Sequence, residues 1–75
     1  MEENQRRERF ISLAEKRVTR AIKDIRLIGN LSNRSNYIYD GSDVKKIVMA
    51  LDTEVKNLNQ KFDTRASGEE IIFKL

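Results

Sequence analysis

The chain has 75 residues, no cysteine and no histidine, and its 15 lysines and arginines exceed its 12 acids to leave a net charge of +3. This is one domain at most, with no disulfide framework, no thiolate or imidazole metal site, and no Ser/His or Cys/His nucleophile pair. No apolar run approaches the roughly 18–20 residues that span a bilayer, and the start "MEENQRRERF" lacks the apolar core of a secretory signal, so the expected setting is the cytoplasm, away from membranes.

The first predicted element is a helix over about 4–29. Ile11, Ala14, Val18, Ala21, Ile25 and Ile28 follow alternating three- and four-residue spacings, which is the seam of a coiled coil rather than a strand period. Phe10 and Ile22 widen the seam, as in a helix that faces a bundle core. Gly29 is expected to end the helix in the left-handed conformation, with Leu31 supplying the apolar contact of such a cap. The same helix carries Arg9, Lys16, Arg20 and Lys23 at spacings of seven, four and three, on one face away from the seam. Together with Arg34 they form a candidate nucleic-acid-binding stripe, interrupted in the sequence by Glu8, Glu15 and Asp24.

Residues 30–40 form the predicted loop, "NLSNRSNYIYD". Asn and Ser suit turns because their side chains hydrogen-bond local backbone. The segment is nevertheless longer than the connection a helix bundle usually needs, about two to eight residues, and it carries Tyr37, Ile38 and Tyr39, which are costly to leave in water. Two readings follow. In one, a tyrosine packs over the open end of a hairpin while Asn30, Ser32, Asn33, Ser35 and Asn36 satisfy helix-end groups. In the other, Asn30, Ser32, Asn33, Arg34, Asn36, Tyr37 and Tyr39 are a displayed surface for a protein partner, since recognition concentrates on loops held by rigid scaffolds.

A second helix is predicted over about 41–65, on a stripe of Val44, Val48, Leu51, Val55, Leu58 and Phe62 broadened by Ile47. Asp40 or Ser42 is its expected cap, with Asp43 in the first turn where the helix dipole favours negative charge. The tail 67–75 follows, where Ile71, Phe73 and Leu75 alternate as in a strand; it either folds back over the helices or docks as an added strand. Residues 1–66 are thus expected to be an all-α antiparallel two-helix hairpin. A lone hairpin leaves the outer half of each stripe wet, so two copies are expected to pack into a homodimeric four-helix bundle.

The stretch Arg17–Leu51, and above all "LIGNLSNRSNY" followed by Y-x-x-x-D-V-x-K-I, resembles a family of short uncharacterised bacterial proteins associated with plasmids, integrative conjugative elements and phages of Gram-positive bacteria. The likeness covers about 9–62 and departs at Gly41 and in the tail. It implies that Asn30, Leu31, Ser32, Asn33, Arg34, Ser35, Asn36 and Tyr37 are signature positions, and it implies no activity or cofactor. Phosphate-cradling glycine motifs are missing, and paired acids such as Glu69 and Glu70 have no pocket in which to become catalytic. The expectation is a small non-enzymatic accessory protein of a mobile element, without cofactor or metal, that dimerises and presents its loop to a protein. The alternative is nucleic-acid binding through the basic face of the first helix.

Overall fold

The computed structural model describes residues 2–67 of the chain, and within them the protein is all-helical. Helix α1 spans Glu2–Gly29 and helix α2 spans Gly41–Ser67. A short 3-10 turn, Asn30–Ser32, continues directly from α1. The expected strand or docking segment in the tail lies outside the described residues. The chain divides into two compact units between Ile38 and Tyr39.

In the first unit, good helix formers and the lack of proline let α1 run uninterrupted for 28 residues. Glu2 and Glu3 occupy its first turn and Arg26 its last, each on the side the helix dipole favours. The guanidinium of Arg7 sits 5.8 Å from the centre of the Phe10 ring, a cation–π contact one turn apart. Among the described residues no side chain is fully buried. Of the seam, Ala14 and Ile28 are half-covered, whereas Ile11, Val18 and Ile25 are exposed.

The end of α1 corrects the expected glycine cap. Gly29 has φ −60° and ψ −28°, ordinary right-handed helix, and the chain passes through it into the 3-10 turn. It leaves helical geometry only at Asn33, with φ −71° and ψ 102°, and Leu31 is exposed rather than set in a cap. Glycine is therefore not required by its backbone at this position, and nothing lies within 4 Å of where a Cβ would stand. Gly29→Ala is accordingly expected to stabilise the first unit by about 0.5–1 kcal/mol, because alanine restricts the unfolded chain and favours helix. Thermal unfolding followed by circular dichroism checks this, and a lowered midpoint would refute it.

In the second unit, α2 begins with a reciprocal cap. The backbone N–H of Asp43 donates to Oδ1 of Asp40 at 2.9 Å, and the N–H of Asp40 donates to Oδ2 of Asp43 at 3.0 Å. The carbonyl of Asp40 accepts the first helical bond, from the N–H of Val44, at 3.3 Å. Of the two expected caps the chain thus uses Asp40 and not Ser42, in a capping box whose second member is aspartate where glutamate is usual. Tyr39 precedes the cap and Val44 stands at the fourth helical position, the two places of a hydrophobic staple. Tyr39 is half-buried there. The stripe from Val44 to Phe62 lies on one side of α2; Leu51 at its middle is half-covered, and its other members are exposed.

Among the described residues no helix is long and apolar enough to cross a membrane.

Candidate functional site

The connecting segment is built on Asn33. Its carbonyl accepts the N–H of Asn36 at 3.1 Å and that of Tyr37 at 3.0 Å, while its side-chain Oδ1 accepts the N–H of Ser35 at 2.9 Å. Three consecutive donors, on Ser35, Asn36 and Tyr37, converge on one asparagine. The result is a tight turn whose outer residues are Arg34, Ser35 and Asn36. Asparagine suits this place because its side chain reproduces a backbone acceptor two residues ahead, the Asx turn.

The residues expected to form one displayed loop are distributed over three local structures. Asn30 and Ser32 belong to the 3-10 turn that prolongs α1. Asn33, Arg34, Asn36 and Tyr37 belong to the Asn33 turn. Tyr39 belongs to the second unit, half-buried at the start of α2. The irregular segment is therefore 33–40 rather than 30–40, within the usual length of a helix connection, so its length alone no longer marks it as special. Its apolar exposure still does. Ile38 is 102% exposed and Tyr37 46%, side by side after the turn.

Ile38 joins this surface although it is not among the loop residues expected to face a partner. Its signal was present, an aliphatic side chain between two tyrosines in a polar stretch, but alternation cannot say which of three neighbours is turned outward. Asn33 is more than one polar contact among several, because it organises the turn. Asparagine in a turn can take that role through the backbone N–H two residues on, but Asn30, Asn33 and Asn36 all share that capacity in the sequence.

The cations of α1 are exposed. At about 100° per residue, Arg9, Lys16, Arg20 and Lys23 fall within an arc of about 60°. The seam from Ile11 to Ile28 faces about 160° away. Glu8 and Glu15, which break the stripe in the linear sequence, stand about 60–80° beyond its edge at Lys23, while Asp24 stands about 40° beyond its other edge at Arg20. Arg34 is carried by the Asn33 turn rather than by the helix, and it has interactions of its own. Leu13 and Leu27 share the cationic side, Leu27 at 62% exposure.

An open depression beside Gln5, Glu8, Arg9, Ser12 and Leu13 is a surface of α1 rather than an enclosed site. Among the described residues no group of three or more acids could hold a metal ion. No protein-family model, curated protein or solved structure matches this chain.

Proposed function

We propose that the protein is a non-enzymatic interaction module whose two helices fold back as an antiparallel hairpin and pair, through their apolar stripes, with a second copy to form a four-helix bundle. One observation carries this reading. Each helix bears an apolar stripe at seam spacing, and among the described residues none of the stripe side chains is buried. A stripe of that length is stable in water only when another helix covers it. Two stripes in one chain supply half of a bundle, and a two-fold axis supplies the rest. Alanines at two seam positions, Ala14 and Ala21, favour close approach of a neighbouring helix.

The Asn33 turn, with Arg34 and Tyr37, and the adjoining Ile38 then form the surface presented to a protein partner. A turn held by three hydrogen bonds loses little entropy on binding, and its aromatic and aliphatic pair provides the anchor that such contacts use. The resemblance of Arg17–Leu51 to short proteins of plasmids, conjugative elements and phages supplies the setting, an accessory protein of a mobile element in the bacterial cytoplasm.

Light scattering over a concentration series tests the assembly. The expected result is a mass of twice the chain at micromolar concentration, dissociating with loss of helix on dilution. A folded single-chain species throughout would end this reading. For the loop, Asn33→Ala is expected to loosen the turn at a cost of about 1 kcal/mol or less while the helices persist. Weakened partner capture by Asn33→Ala, and its loss by Arg34→Ala with Tyr37→Ala, at unchanged helicity and mass, would support presentation. Equal capture by all three proteins would show that the turn only connects.

A further inference from the structure

We infer that the face of α1 opposite its seam is a binding surface for the phosphate backbone of double-stranded nucleic acid, read without sequence specificity. The inference does not depend on the bundle, because the four cations are exposed on α1 taken by itself. Among the described residues Arg9, Lys16, Arg20 and Lys23 form no ion pair. From Arg9 to Lys23 the row measures about 21 Å at 1.5 Å per residue. That is roughly six phosphate steps along the axis of one strand at about 3.4 Å each.

A second, independent observation comes from α2. Lys45, Lys46 and Lys56 stand about 100° or more from the line of Val44 and Phe62, with Thr53, Asn57 and Gln60 on the same side and Asp52 and Asp63 at nearly the same angle as Lys45 and Lys56. All of these residues are exposed. Each helix thus carries its cations away from its apolar stripe. Whatever covers the stripes leaves both cationic sides turned outward, where long flexible side chains reach phosphates.

An anionic membrane is the rival receptor, because Leu13 and Leu27 lie among the cations of α1. The seam argues for nucleic acid. An interfacial helix sinks bulky apolar side chains between lipids, whereas this stripe contains Ala14 and Ala21 at the spacing that seats a neighbouring helix. With the seam engaged, the cationic side has only two separated leucines to offer a bilayer.

The test titrates a labelled mixed-sequence DNA duplex with the full chain at 50 and 200 mM salt. Four neutralised phosphates predict binding roughly 100-fold weaker at the higher salt. The variant Arg9→Gln, Lys16→Gln, Arg20→Gln, Lys23→Gln is expected to lose about tenfold or more at the lower salt. Glutamine keeps helix propensity close to that of the residues it replaces, and circular dichroism verifies that the helices remain. A matched variant, Arg7→Gln, Arg17→Gln, Arg26→Gln, Lys61→Gln, removes the same charge from other sides of the helices and is expected to lose markedly less. No binding at 50 mM, equal losses in the two variants, or binding to phosphatidylserine vesicles without binding to the duplex would each overturn the inference. A monomeric mass by light scattering would end the bundle reading and leave this one standing.

Discussion

Leu51→Asp is expected to abolish both the proposed dimer and most of the helicity at micromolar concentration, while Met49→Asp leaves both intact. The two positions are separated by about 200° around α2, so one change falls in the middle of the stripe and the other outside it. Leu51 is half-covered even by its own helix, and in the proposed bundle it is a central layer of the core. Removing a buried leucine costs about 2–5 kcal/mol, and leaving an unpaired carboxylate in its place adds several more. Small domains hold only about 5–15 kcal/mol in total, so the loss approaches the whole stability. At Met49, 57% exposed, an added charge meets water and changes stability by less than about 0.5 kcal/mol. Equal behaviour of the two variants, by light scattering and circular dichroism, would show that the stripe is not what holds the protein together.

The second large effect is at the start of α2. Asp40→Ala is expected to lower stability by about 1 kcal/mol, because the N–H of Asp43 loses its acceptor and the first turn loses a carboxylate aligned with the dipole. For a chain of this size that corresponds to a midpoint roughly 4–8 °C lower in thermal unfolding. Asp40→Asn keeps an acceptor oxygen and is expected to recover most of the difference. Ser42→Ala serves as the comparison: Ser42 was the competing cap in the sequence, and its replacement is expected to be nearly neutral. A Ser42→Ala loss as large as that of Asp40→Ala would contradict the reciprocal cap.

The first effect rests on the apolar stripe and the second on a local cap, and the ease with which each could be read from residues differs. The helices were legible almost to their ends, 4–29 and 41–65 against Glu2–Gly29 and Gly41–Ser67. Helix formation depends on contacts three and four residues apart, so the periodicity of Ile11 to Ile28 and of Val44 to Phe62 carries it directly. The cationic stripe was legible for the same reason. Linear spacing misplaced its acidic neighbours, because Glu8 and Glu15 adjoin Arg9 and Lys16 in the chain yet stand to one side around the helix axis.

What lay beyond the residue pattern was the behaviour of the chain where periodicity stops. Glycine permits a left-handed end without compelling one, and at Gly29 the chain continues into a right-handed 3-10 turn; the choice depends on where the following backbone finds hydrogen bonds, here at Asn33. Asp40 and Ser42 were equivalent as candidates until one of them left helical geometry, since only a residue outside the helix can turn its side chain back onto the first-turn amides. Tyr37, Ile38 and Tyr39 likewise differ in exposure because Tyr39 precedes the cap at the staple position, Tyr37 closes the Asn33 turn and Ile38 stands between the two. Helical repeat is a property of neighbours in the chain, whereas the ends and the turn are decided by which few donors and acceptors meet in space.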